Sequence, residues 1–282
     1  MMISPAPIKL IAIDIDGTLL TPQKSVSLRT QMAIQAAQEA GIVVTLATAR
    51  RYENSKQFAD MLGIKIPVIT CDGALIIQHP TGNVIHTNLL DAELAQEATD
   101  LLVEHQIQPV IHHLRDRIEE TWSGPVEFDN PELLNYFQEF PRVQRMSHRM
   151  LCSGQPDHIR VVAFASEEAI ARVAPAIAQL PCSWNRIKRG NYSCAEIVVM
   201  HPGCSKASGV EALADHLRIP MEQVMALGDN NNDFEMLAVA GWGVAMGQAP
   251  ERVKAIANAV TASNQDDGVA VAIERYALLS RV

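Results

Sequence analysis

The 282-residue sequence predicts an α/β fold, a doubly wound parallel core sheet interrupted by an inserted α+β unit. Three observations lead there. Apolar β-branched runs of strand length alternate with helical patterns from Ile8 to Cys71, hairpin and helix signals mix through the middle of the chain, and strict alternation returns from Ser205. Strand–helix alternation implies right-handed crossovers and a Rossmann-like arrangement, which binds ligands outside the carboxyl ends of its strands.

Ile8 to Ile13 has the length and branching of a buried strand, and Gly17 lets the chain turn sharply after it. Ser27 caps a helix that stops at Gly41, Ile42 to Ala47 forms a second strand, a helix follows to Gly63, and Pro67 to Cys71 forms a third strand. At Asp72-Gly73 the rhythm changes. Ala74 to Ile77 and Val84 to Thr87 flank Pro80-Thr81-Gly82-Asn83 as a hairpin, followed by helix Asp91 to His105, strand Gln108 to Leu114 and a polar stretch, Arg115 to Glu120. Asn130-Pro131 opens another helix. A loop from Arg142 to Pro156 then precedes strand His158 to Ala165, helix Ser166 to Leu180, and strands Ser183 to Lys188 and Ala195 to Met200. His112 and His113, adjacent on one strand, are expected to divide into one core and one surface residue. From Ser205 come a helix to Leu217, strand Gln223 to Leu227, loop Gly228 to Asn231, a helix from Asn232, strand Gly243 to Met246, helix Pro250 to Ala257 and a last helix after Asp267. The expected division is a core of residues 1–82 and 191–282 and a cap of residues 83–190.

The formal net charge of −9 argues against a nucleic-acid partner, which requires a basic stripe. The five cysteines are odd in number and scattered, with no Cys-x-x-Cys pair, as expected in a reducing cytoplasm. Met1 to Pro7 has no leader pattern, and no apolar run has the length of a membrane span, so no membrane partner is expected.

The chemistry begins at Asp14-Ile15-Asp16-Gly17-Thr18, where two carboxylates leave the first strand together. Side by side they repel unless a cation or a shared proton intervenes, and Mg²⁺ resolves this; the competing reading makes Asp16-Gly17 a turn and Asp14 a strand-end cap. In phosphoryl transfer Asp14 would be the nucleophile, and Asp16 would protonate the leaving oxygen and then deprotonate water. Thr48, ending the second strand, either donates to a phosphate oxygen or caps the next helix. Lys206 lies four residues before Val210 on the apolar stripe of its helix, in the first turn, where a cation opposes the helix dipole. A bound phosphate would offset both penalties, whereas a snorkelling side chain would evade them. Gly228-Asp229-Asn230-Asn231-Asn232-Asp233 supplies Asp229 as a second metal ligand, and Asp233 either as a partner to metal-bound water or as a helix-terminal charge.

In this order the four segments resemble those of the haloacid dehalogenase (HAD) superfamily, in its Cof-like hydrolase branch. The resemblance spans the whole core, including Val260-Thr261-Ala262-Ser263-Asn264 and Asp267-Gly268-Val269-Ala270. It implies that Asp14, the Asp16 carbonyl and Asp229 bind Mg²⁺, that the Ile15 backbone, Thr48, Ala49, Lys206 and Asn232 hold phosphate, and that the cap chooses the substrate. Ala49 stands where this branch usually has Gly, and Asp72 where it commonly has Asn. The expectation is a cytoplasmic Mg²⁺-dependent phosphatase, a monomer or small homo-oligomer, acting through an aspartyl-phosphate on a small phosphorylated metabolite such as a sugar phosphate or phosphorylated cofactor. A phosphomutase on the same scaffold and a receiver-like phospho-acceptor switch are the alternatives; the acid/base at Asp16 and the large insert argue against the switch.

Overall fold

The computed structural model describes residues 6–155, 157–187, 192 and 194–279; the junction expected at 190/191 and the strand end at Lys188 lie outside them. In chain order come β1 (Leu10–Ile13), α1 (Leu28–Glu39), β2 (Val43–Leu46), α2 (Tyr52–Met61), β3 (Pro67–Thr70), β4 (Leu75–Gln78) and β5 (Asn83–Thr87). Next are α3 (Ala92–Glu104), β6 (Pro109–Arg115), β7 (Ile118–Ser123), α4 (Pro131–Glu139), β8 (Val143–Arg145), β9 (His158–Ala165), α5 (Glu167–Ile177), β10 (Ser183–Ile187) and β11 (Ala195–Met200). The chain closes with α6 (Lys206–Leu217), β12 (Val224–Gly228), α7 (Phe234–Val239), β13 (Trp242–Ala245), α8 (Glu251–Ile256), β14 (Ala259–Val260) and α9 (Gly268–Ala272).

Two compact units result, Met1–Thr87 with Ser205–Val282, and Asn88–Cys204. The first divide lies at 87/88 rather than 82/83 because β5 pairs with β4 in the first unit. The second lies at 204/205 because β11 pairs with β9 and β10 of the inserted unit.

The first unit carries a parallel sheet in the order β14-β13-β12-β1-β2. Alternation along β1 sends Ile11 and Ile13 to one face, against α1, α2 and α9, and Leu10 and Ala12 to the other, against α6, α7 and α8. Helices therefore cover both faces, and strands so buried read as continuous apolar runs. The third strand departs from expectation. β3 touches the parallel sheet through the single Ala47–Ile69 bridge and otherwise pairs antiparallel with β4, which folds back on it at Asp72-Gly73. From β1 the chain proceeds outward through β2 on one side, while β12 leads to β13 and β14 on the other. The switch point therefore falls between β1 and β12, and Asp14 and Asp229 follow the carboxyl ends of these two strands.

The inserted unit is a six-stranded sheet in the order β10-β11-β9-β6-β7-β8, antiparallel except for β7 with β8. Its apolar face buries Ile111, Val161, Ala163 and Ile197 under α3 and α5. The stretch expected to be merely polar, Arg115 to Glu120, contains the start of β7, and the loop from Arg142 contains β8. The turn between β6 and β7 is Asp116-Arg117, both at positive φ, the hairpin geometry that Asn-Gly usually announces. His112 and His113 are both buried, because the strand is covered on both sides. His112 bonds the Tyr136 hydroxyl of α4 (2.7 Å) and accepts from Arg160 Nε (3.0 Å), while His113 packs on Trp122 and His158 (ring centroids 4.2 and 4.7 Å).

His158 is 1% exposed, and its Nε2 has no hydrogen-bond partner among the described residues. Burial, with His113 alongside, pushes its pKa down to about 4. A histidine depressed in the folded state costs stability as pH falls through the window between its unfolded value and about 4, because only the unfolded chain takes up the proton there. The inserted unit is therefore expected to lose on the order of 3 kcal/mol from this group between neutral pH and pH 4. Thermal melts from pH 7 to pH 4 on the native protein and on His158→Met check this: the variant's curve should be flatter, and parallel curves would refute it.

Candidate active site

Asp14 leaves β1 in extended conformation, and the chain then coils through Ile15–Leu19, with Gly17 at φ +87°. A Cβ on Gly17 would lie 2.5 Å from Asp229 Oδ2, so glycine is required both for the turn and for the approach of the Asp229 carboxylate. Thr18 donates its hydroxyl to Asp229 Oδ1 (3.0 Å), tying the turn after β1 to the turn after β12. Gln248 and Asn264 hold the same segment from outside, donating to the Gly17 carbonyl (2.6 Å) and the Leu20 carbonyl (2.7 Å).

Lys206 opens α6 behind a capping box made by Ser205 and Ser208. The helix approaches the turn after β3 unusually closely. A Cβ on Gly73 would overlap the Ser205 carbonyl, and one on Gly209 would sit 2.5 Å from Ile69 Cγ2 and 3.0 Å from the Gly73 Cα. Lys206 is thereby driven inward to 2% exposure, where Nζ donates to Asp14 Oδ1 (2.6 Å) and Asp233 Oδ1 (2.7 Å). Burial would lower its pKa, but the charges of Asp14, Asp233 and Asp72 outweigh burial and hold it above the ordinary lysine value. Two aspartates, rather than a phosphate alone, offset its charge.

Asp233 is fully buried, and its second oxygen accepts from the backbone N–H groups of Asp229 and Asn230 (both 2.9 Å). A Cβ on Gly228 would strike the Asp233 side chain at 2.4 Å Cβ–Cβ separation, so the loop closes tightly only with glycine there. Asn232 donates to Asp72 Oδ1 (3.2 Å). Asp72 is buried at φ +53°, and its N–H donates to the Thr48 carbonyl (3.0 Å). The Thr48 hydroxyl accepts from Arg50 N–H (3.1 Å), the cap-like alternative of the two roles read for it.

Asp16 faces elsewhere. Its carboxylate, 39% exposed, takes a bidentate ion pair from Arg50, Nε to Oδ2 at 2.7 Å and Nη2 to Oδ1 at 2.6 Å. Asp14, Lys206, Asp229 and Asp233 thus converge, Thr48, Asp72 and Asn232 are linked beside them, and Asp16 is held out by Arg50. Ile15 is fully buried, and Ala49 is half-buried. Sequence reasoning gave no role to Arg50, two residues past Thr48, or to Thr18, which sits inside the motif after β1; Gln248 carried no signal at all.

One carboxylate oxygen each from Asp14, Asp229 and Asp233 lies within 4.8 Å of the others. Burial raises the pKa of Asp14 well above the carboxylate range; Lys206 opposes the rise, and Asp233, Asp229 and Asp16 add to it. Burial and Asp233 likewise push Asp229 up to about 6. The cluster thus holds more negative charge than Lys206 neutralises, and its all-oxygen donor set suits Mg²⁺. Among the described residues no helix is long and apolar enough to cross a membrane.

The sequence profile of the haloacid dehalogenase-like hydrolases matches residues 11–273. The chain is 28% identical over 270 residues to the 5-amino-6-(5-phospho-D-ribitylamino)uracil phosphatase YitU of Bacillus subtilis (strain 168), covering 95% of this chain and 97% of that one. Phosphatase YwpJ of the same organism is 32% identical over 288 residues, covering 93% and 97%. Among solved structures, the HAD subclass IIB sugar phosphatase BT4131 superposes with a TM-score of 0.77 at 26% identity, covering 95% of this chain and 98% of that one. With this profile spanning β1 through α9, the chain belongs to the haloacid dehalogenase-like hydrolases and is one of their phosphatases.

Proposed function

We propose that the protein is a cytoplasmic Mg²⁺-dependent phosphatase that hydrolyses a small phosphorylated metabolite, a sugar phosphate or a phosphorylated cofactor or precursor, through a phosphoryl group carried on Asp14. The observation that carries this reading is the convergence of Asp14, Asp229 and Asp233 around the buried Lys206. The substrates named for YitU and BT4131 support the substrate class, and the scattered cysteines support the compartment.

Asp14 attacks phosphorus, the ester P–O bond breaks, and the leaving oxygen takes a proton from Asp16. Asp16 then removes a proton from water, which attacks the acyl phosphate to release inorganic phosphate and restore the Asp14 carboxylate. Both Asp16 oxygens accept from Arg50 here, so Asp16 reaches a leaving group only when that pair parts. Lys206 holds Asp14 in place and, with the Ile15 and Ala49 backbone, Thr48 and Asn232, would balance the phosphoryl oxygens. Asp14, the Asp16 carbonyl and Asp229 would hold Mg²⁺, with Asp233 beside them. Bound there, Mg²⁺ would keep the buried carboxylates ionised and offset phosphate charge. Residues 88–204 carry none of these groups, and we assign them the choice of the organic part of the substrate. A screen of phosphorylated metabolites for released phosphate, with Mg²⁺ and with chelator, tests the whole reading; no release from any ester would refute it.

Asp14→Asn should retain less than about one per cent of turnover while melting as a folded protein, since the covalent group is lost. Greater residual activity would assign the nucleophile elsewhere. Asp16→Asn should slow alkyl phosphates by about a hundredfold or more, yet slow an aryl phosphate with a good leaving group far less; equal losses would contradict an acid role.

The acidic cluster also sets a pH dependence. Because folded Asp229 keeps its proton up to about 6 while the unfolded chain loses it near 4, the metal-free protein should lose stability as pH rises through that interval. Mg²⁺ binding competes with that proton, so the rise in Tm on adding Mg²⁺ should be larger at pH 8 than at pH 5. Asp229→Asn should shrink both the shift and its pH dependence, and a pH-independent Mg²⁺ shift in the native protein would count against this site.

A further inference from the structure

Asp72 is the one acidic side chain in this region to which the mechanism above gives no task. Its backbone lies at φ +53°, ψ +34°, a conformation that asparagine and glycine tolerate as well as aspartate, so the turn does not explain the carboxylate. The residue is 2% exposed, and burying a carboxylate is costly without compensation. Its surroundings are those of the phosphate-holding residues. Asn232 donates to Oδ1 at 3.2 Å, its own N–H bonds the Thr48 carbonyl at 3.0 Å, and its charge acts on Lys206.

Resting on the phosphatase reading, we infer that Asp72 is a positioning and specificity residue: it fixes the Asn232 amide and deliberately weakens the site's hold on phosphate. Two physical effects combine. A carboxylate only accepts, so Asn232 must turn its NH₂ toward Asp72, whereas an asparagine at 72 could either donate or accept and would leave the amide free to flip. In addition, Lys206 answers to three carboxylates, two in contact and Asp72 through space, which reduces the positive potential left for an incoming dianion. The consequence is ready release of inorganic phosphate and discrimination against densely anionic substrates, in favour of monoesters whose organic part is neutral or cationic.

The test is the affinity for orthophosphate, measured by calorimetry with Mg²⁺ present and as product inhibition of ester hydrolysis, for the native protein, Asp72→Asn and Asp72→Gly. Both variants suit the positive φ, so each remains a probe if the other folds poorly. Removing the charge should tighten orthophosphate binding by about tenfold, with a matching fall in the inhibition constant. If esters are hydrolysed and the affinities agree within about twofold, Asp72 merely fills a turn and the inference fails alone. Weaker binding in the variants would also overturn it, by making Asp72 a support for phosphate. If the native protein neither hydrolyses esters nor binds orthophosphate, the phosphatase reading fails and takes this inference with it.

Discussion

The Lys206 ammonium between Asp14 and Asp233 is the contact on which the rest of the first unit's chemistry depends. Each of the three charges would be costly to bury alone, and together they are tolerable only at hydrogen-bond distance. That condition fixes three elements at once: the end of β1, the turn after β12 and the first turn of α6. The helix reaches its place because Gly73 and Gly209 allow backbone to meet backbone, so two residues with no side chain govern where the charge arrives. Removing the lysine would leave two buried carboxylates facing each other without a cation, so stability and chemistry share one set of atoms.

The second layer of the site is a set of ties between neighbouring strand ends. Thr18 joins β1's turn to Asp229, Asn232 joins β12's turn to Asp72, and Asp72 joins β3's turn to Thr48. Each tie spans two loops that would otherwise move independently, and each uses a group that also touches the charged centre or its neighbour. Arg50 stands apart from this web, holding Asp16 through both oxygens at the more exposed margin. Asp16, the acid of the proposed reaction, thus sits outside the rigid centre, where a single ion pair decides its position.

Much of this was legible in the sequence because burial and periodicity are local. The β-branched runs located β1, β2 and β12, the capping residue Ser27 located the start of α1, and the apolar stripe containing Val210 placed Lys206 inside. What the stripe could not reveal is that Lys206 meets Asp14 and Asp233 there. Partnerships between distant residues leave no periodic trace, which is why Arg50 gained no role. The hairpin at Asp116-Arg117 was missed for a related reason, since its positive-φ residues are not the usual ones. His112 and His113 were misjudged because alternation assigns faces but does not say whether both faces are covered.

The pairing of β1 with β12 has a consequence for how the protein comes into being. β1 is an interior strand, yet the neighbour that completes one of its edges is encoded on the far side of the inserted unit, and the Thr18–Asp229 bond closes a span of 211 residues. On the ribosome, β1 and β2 must wait with an apolar edge unsatisfied while the whole of 88–204 is synthesised, and that unit can complete its own sheet first. Loop closure over such a distance is slow, and the acidic centre cannot assemble before it happens. The acidic centre therefore cannot form before β12 docks, and a chain that ends short of β12 leaves one edge of β1 without its partner strand.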